Sequence, residues 1–306
     1  EALLKEYPQL ANQKAKIIKQ FVAADGRTYN TFLVESDKPG FERFIAKSFV
    51  HNPDSLRREW MFLGLLQQHR AHAPRLLTPD HEPEHFLLME HIDGIPASKA
   101  LKQDYSLDAI FRGVGEATGM ANSIELETYG NVLEPSNVTW KEFVQSSLDR
   151  KLLSVKPYVS DEFFAKVERT IAETRHILDE ESKGKPMLVH HDIYLENFLV
   201  RNDDKRIVLI DYGIAYGGRP LFDLAKFFIW DLVHYPEQKD TFLKAYGHYV
   251  ELPQNFNEIM KFYLLLECFG MIAYFDKIGA EKDRDDSLAV LKNLIEDTGA
   301  ITELIG

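Results

Sequence analysis

The chain has 306 residues, 45% hydrophobic and 27% charged, with a formal net charge of -12 and one cysteine. That length buries a large core and suits two lobes, and the acidic balance without a basic stripe argues against nucleic acid and anionic membranes as partners. No apolar run reaches the roughly 18 residues of a bilayer span, and the lone Cys268 rules out an internal disulfide and fits a reducing, cytoplasmic setting.

The first stretch, Glu1 to Gln20, is charged and mildly amphipathic, unlike a secretory signal. A β-meander follows. Ile17 to Ala23 is a strand, Asp25-Gly26-Arg27-Thr28-Tyr29-Asn30 a turn, and Thr31 to Glu35 the next strand. Ser36 to Gly40 turns again, and Phe41 to Val50 is a third strand. His51-Asn52-Pro53 opens a helix, with Asn52 as N-cap and Pro53 in its first turn. Leu56, Trp60 and Leu63 share its apolar stripe. A further hairpin ends in Phe86-Leu87-Leu88-Met89-Glu90, and Asp93-Gly94-Ile95-Pro96 breaks the pattern as a hinge. Helices then cover about 107–124, 139–153, 161–181, 221–233, 238–249, 256–276 and 286–296, interrupted by strands near 188–211. Glu281 to Asp286 reads as a solvated loop. The predicted plan is α+β: a sheet-rich lobe, residues 1–95, ahead of a helical lobe, residues 96–306, with a cleft between them.

The chemistry concentrates where the helices are interrupted. His190-His191-Asp192-Ile193-Tyr194-Leu195-Glu196-Asn197 reads H-x-D-x-x-x-x-N, and Ile210-Asp211-Tyr212-Gly213 ends an apolar run with an aspartate. Between them, two strand-like runs flank the polar turn Asn202-Asp203-Asp204-Lys205. A hairpin returns to its start, so Asn197 and Asp211 come side by side. The two loops resemble the catalytic and metal-binding loops of protein-kinase-like phosphotransferases. Asp192 then orients or accepts the proton of an attacking hydroxyl. Asn197 and Asp211 hold Mg2+, a hard cation that prefers oxygen ligands. The competing structural reading makes Asp192 and Asn197 loop caps and Asp211 a turn former. A metal site built on His190 and His191 is disfavoured, because adjacent side chains of an extended chain diverge.

Upstream, Phe44-Ile45-Ala46-Lys47-Ser48-Phe49 resembles the V-A-I-K strand of kinases. Lys47 must find a partner or a phosphate, because an unpaired buried ammonium is costly. Glu59, twelve residues on, is its expected partner; the alternative is a Lys47 that snorkels to solvent. The single-glycine turn covers a triphosphate through backbone N–H groups and the Thr28 hydroxyl, or is an ordinary hairpin turn. Met89-Glu90-His91-Ile92 is where a purine edge is read, with Glu90 and Ile92 as candidate contacts and Ile45 and Leu209 sandwiching the ring.

Taken together, Lys47, Glu59, Leu87-Leu88-Met89-Glu90, His190 to Asn197, Ile210 to Gly213 and Gly218-Arg219-Pro220-Leu221-Phe222-Asp223-Leu224-Ala225 resemble the aminoglycoside phosphotransferase/choline-kinase-like family of small-molecule kinases. The resemblance implies a protein-kinase-like two-lobe fold, ATP or GTP with Mg2+ as cofactors, and His190 and Asp223 as braces of the catalytic loop. An N-cap role is the alternative for Asp223. It implies an acceptor on the helical lobe, with Asp231 and Glu267 as candidate contacts for a small cationic molecule. Glu267 sits in an apolar helix and must read an amine or pair with a buried base. An aminoglycoside-type antibiotic is the leading acceptor. The alternatives are a metabolic alcohol (choline, homoserine or a sugar) and a non-catalytic nucleotide-binding module. Four positions depart from a family pattern: Asn122 where histidine is frequent, His191 where glycine is usual, Tyr194 where many members have histidine, and Gly213 where choline kinases typically have glutamate, which favours the antibiotic-kinase branch.

Overall fold

The computed structural model describes residues 2–10, 15–21, 29–49 and 53–305. Thr28 and Asn52, with most of the turn expected at 25–30, lie outside these residues.

After α1 (Ala2–Glu6), strands β1 (Lys16–Phe21), β2 (Tyr29–Glu35) and β3 (Arg43–Phe49) form the expected meander. Helix α2 (Pro53–Gln68) follows, and β4 (Phe86–Glu90) completes an antiparallel sheet in the order β1-β2-β3-β4. The hairpin expected before β4 reduces to one bridge, Leu76 to Met89. Beyond β4 come β5 (Gly94–Pro96), α3 (Ala97–Ala100), α4 (Leu107–Asn122), α5 (Trp140–Leu153), α6 (Asp161–Thr174) and α7 (His176–Glu181). Strands β6 (Met187–Val189), β7 (Phe198–Arg201), β8 (Ile207–Leu209) and β9 (Tyr216–Gly218) carry the loops of interest. Helices α8 (Pro220–Trp230), α9 (Lys239–Tyr246), α10 (Phe256–Ile278), α11 (Glu281–Glu296) and α12 (Gly299–Ile305) close the chain. No described helix is long and apolar enough to cross a membrane.

Two expectations change. The segment predicted as a hinge is strand β5, paired antiparallel with β7 from Gly94 opposite Arg201 to Pro96 opposite Leu199. Gly94 permits this, because a Cβ there would lie 2.3 Å from the Val200 carbonyl oxygen. The segment expected as a solvated loop, Glu281 to Asp286, is the start of α11. Its first turn carries Glu281 and Asp283, charges that the positive end of a helix dipole stabilises.

Among the described residues, two apolar clusters form the core. A small one joins Tyr7, Leu10, Val34, Phe44, Ala46 and Leu88 beneath the first sheet. The large one runs from α2 through α4, α8 and α10. The middle of helix α10, Ile259 to Ile272, is mostly buried in that core, while its ends, with Glu258 and Tyr274, are exposed. Cys268 is fully buried there, and burial pushes its thiol up, as expected of a packed thiol rather than a nucleophile.

Candidate active site

Strand β3 turns Lys47 inward, where it is 4% exposed. Its Nζ lies 2.7 Å from Glu59 on α2 and 2.8 Å from Asp211. One ammonium thus ties the sheet, α2 and the end of the β7–β8 hairpin together. Burial pushes the Glu59 carboxyl up to about 6, against the pull of Lys47. Burial also works against ionisation of Asp211, but the Lys47 ammonium outweighs it and holds that carboxyl below the usual range.

The hairpin delivers Asp211 as the spacing requires. The Ile210 N–H donates to the Asn197 carbonyl at 2.9 Å, so the two ends meet. Asp211 then takes a left-handed conformation, φ 71°. That backbone is uncommon for a residue with a Cβ, and Asp and Asn tolerate it best.

Around Asp192 the loop is tightly organised. The Asn197 side-chain amide donates to Asp192 Oδ2 at 2.8 Å and to the Asp192 carbonyl at 2.9 Å. Both amide hydrogens are spent there, which leaves the Asn197 amide oxygen as the free end. Asp192 Oδ1 is ion-paired with Lys226 of α8. Lys226 also lies over the Tyr194 ring, 5.5 Å from its centroid. His190 acts as a clamp: the Asp192 N–H donates to its Nδ1 at 3.2 Å, so its Nε2 carries the hydrogen toward the Ile210 carbonyl at 2.9 Å.

Behind the loop stands Asp223, 2% exposed, in the first turn of α8. Its carboxylate accepts from the backbone N–H groups of His190 and His191, each at 2.7 Å, and from the Asn122 amide at 2.8 Å. Asn122 in turn donates to the Leu188 carbonyl and accepts from the Tyr246 hydroxyl. Burial raises the Asp223 carboxyl and these donors oppose the rise.

The remaining candidates sit apart. Glu90 lies opposite Phe44, three residues along the sheet from the Lys47–Leu87 pair. Its N–H donates to the Arg75 carbonyl and its side chain meets Arg201 at 3.0 Å. Ile92 is buried. Asp231 caps the end of α8 and accepts from the Leu195 N–H at 3.0 Å; burial pushes its carboxyl up to about 7. Glu267, on α10, is 8% exposed. Burial raises its carboxyl, while the Lys226 and Lys151 ammoniums pull the other way.

Lys226 and Asn122 carry contacts that sequence reasoning did not assign. Lys226 follows Asp223 by three, so helical spacing puts both on one face toward the loop. No comparable local signal marks Asn122, whose partners are 66 and 101 residues away.

As a donor set, one carboxylate and one amide oxygen at the hairpin ends suit a small hard cation that keeps water and phosphate oxygens as its other ligands. Among the described residues, no three His, Cys, Asp or Glu side chains gather as a metal cage.

No curated protein matches the sequence. Solved structures share the fold. Aminoglycoside phosphotransferase APH(4)-Ia aligns with a TM-score of 0.64 at 14% identity, covering 98% of this chain and 100% of that one. A gentamicin complex of APH(2")-IIa gives 0.63 at 20% identity, covering 99% and 98%. Plasmodium vivax ethanolamine kinase gives 0.64 at 14% identity, covering 96% and 86%. The sequence itself matches the phosphotransferase enzyme family over residues 21–259, and the chain belongs to that family.

Proposed function

We propose that this protein transfers the γ-phosphoryl group of ATP or GTP to a hydroxyl of a small molecule. The observation that carries the reading is the convergence on Asp192: Asn197 and Lys226 fix its carboxylate, and the hairpin beginning at Asn197 returns Asp211 to Lys47. Phosphoryl transfer needs positioning and charge neutralisation more than covalent help, and these residues supply both. Asp192 orients the attacking hydroxyl and takes its proton. Lys47, aimed by Glu59, faces the nucleotide phosphates. Asn197 and Asp211 would hold magnesium, which would neutralise charge on the phosphate oxygens. Asp223 and His190 act through the loop backbone as positioning residues. Residues 1–95 serve the nucleotide and residues 96–306 catalysis and the acceptor. The β5–β7 pairing, which ties Gly94–Pro96 to strands of the second part, supports a boundary near there.

Kinship of fold with enzymes solved with hygromycin B or gentamicin supports an aminoglycoside acceptor. Kinship with an ethanolamine kinase supports a small metabolic alcohol. A magnesium-dependent hydrolysis assay, with ATP and GTP in parallel across aminoglycosides, choline, amino alcohols and sugars, tests the proposal. Stimulation by one class that is lost in Asp192→Ala is the expected result. Failure to bind either nucleotide overturns it.

A further inference from the structure

Next to the catalytic loop is a cavity of about 110 Å³ lined by Trp140, Phe143, Lys151, His191, Tyr216 and Phe222, among others. Its rings brace one another: Trp140 on Phe143 at 5.5 Å, Phe143 on Tyr216 at 5.4 Å and His191 on Phe222 at 5.6 Å between centroids. Burial, then the fields of Lys226 and Lys151, push the His191 imidazole down to about 3, so this wall is uncharged at neutral pH.

Two charges stand beside these rings. Lys151, on α5, stretches over α10 at Gly270, where an added Cβ would lie 3.7 Å from its Nζ. Glu267 is three residues earlier on α10, hence on the same face. Each feels the other's field, yet among the described residues neither has a hydrogen bond or an ion pair with a protein group. Lys226, the next cation, is already engaged by Asp192. A buried carboxylate without a partner is costly. The arrangement is therefore a pair of opposite charges held apart at a ring-walled space: Lys151 lines it, and Glu267 and Asp192 each follow a lining residue, Leu266 and His191.

We propose that, on the phosphotransferase reading, this pocket is the acceptor subsite and takes a small zwitterionic alcohol. The ammonium of that molecule meets Glu267 and the ring faces. Its carboxylate meets Lys151 through charge-assisted hydrogen bonds. Its hydroxyl points to Asp192. In the transfer, the hydroxyl oxygen bonds to the γ-phosphorus, the bond from that phosphorus to the β–γ bridging oxygen breaks, the nucleoside diphosphate leaves with that oxygen, and the hydroxyl proton passes to Asp192. Size points the same way. The enclosed space is smaller than the about 150 Å³ that holds one benzene, so it takes only the charged end of the acceptor and leaves the hydroxyl end outside it, toward Asp192. A polyamine would also meet Lys151 as a like charge.

Three probes with a terminal hydroxyl on a short chain separate the charges: L-homoserine carries both, 3-amino-1-propanol lacks the carboxylate, and 4-hydroxybutanoate lacks the ammonium. Nucleoside diphosphate release is followed for each with the intact enzyme. L-Homoserine should have a KM at least ~10-fold below either single-charge probe, the value of one charge-assisted hydrogen bond. Lys151→Met should raise the KM of L-homoserine and 4-hydroxybutanoate and spare 3-amino-1-propanol; Glu267→Gln should spare only 4-hydroxybutanoate. Equal KM for all three, a lower KM for choline or kanamycin, or variants that shift every probe alike would overturn the assignment. An enzyme that binds nucleotide and turns it over indifferently to all three loses only this subsite. One that binds neither ATP nor GTP loses the phosphotransferase reading as well.

Discussion

Asp223 and Glu267 are both buried carboxylates near the Asp192 loop, and burial raises both. Asp223 receives hydrogen bonds from His190, His191 and Asn122. Glu267 receives none among the described residues. The first offsets its desolvation inside the protein, which is how a structural brace behaves. The second leaves its cost open, which is how a group waiting for a ligand behaves. Burial alone does not separate the two roles; the partner inventory does.

The sharpest way to break the comparison lies between them, at Asp192. Asp192→Ala should slow transfer by about 10²–10⁴-fold, the usual worth of a positioned proton acceptor, with nucleotide affinity retained in a binding titration. Asp223→Ala should cost about 3 kcal/mol of stability in denaturant unfolding, because it strands three buried donors. A loss under about 0.5 kcal/mol would mean the brace is dispensable. Lys226→Met should lower kcat by about tenfold or more, with Lys226→Arg recovering part of it, since the cation holds one oxygen of Asp192. Equal loss in both variants would point to packing instead.

Asp231 offers a test by pH. Its folded carboxyl is raised to about 7, so between about pH 4 and 7 the folded state keeps a proton that the unfolded state has released. Stability contributed by that proton is full below this window and lost as pH rises through it. Asp231→Asn should therefore match the native Tm at pH 4 and exceed it at pH 8, and an equal Tm at both would refute the shift. The smallest effect belongs to Glu267→Gln, whose stability should equal or modestly exceed native because an unpartnered buried charge is removed, in contrast to Asp223→Ala. A large fall in its Tm would make Glu267 a second brace.

Much of this was legible beforehand because the informative distances are short in sequence. Asp192 and Asn197 are five apart and Lys47 and Glu59 twelve, within one loop or one strand–helix unit. The two-lobe plan followed from the change between period-two and period-3.6 patterning. The misses are contacts between distant segments. Three residues of β5 are too few to show alternation, and their strand partner lies about a hundred residues on, so pairing looked like a break. Charged Glu281 to Asp286 looked like solvent-exposed loop because exposed helical turns share that composition. The Lys226 contact was within reach, one turn beyond Asp223, but an isolated lysine on an apolar helix gives no hint of which carboxylate it meets.

His191 holds φ at 64°. Glycine adopts that backbone freely, whereas a side chain there costs roughly 1–2 kcal/mol. The cost sustains one wall of the ring-lined cavity, stacked on Phe222. Exchange for glycine would relax the backbone and open the cavity by a whole ring in the same step. Loss of the ring also forfeits its packing on Phe222, about 2–5 kcal/mol for a buried large-to-small exchange, so the relaxed backbone offsets only part of that loss. If this cavity is the acceptor subsite, as proposed, then His191 sets how bulky an alcohol fits, and a selection pressed toward bulkier alcohols should change that position.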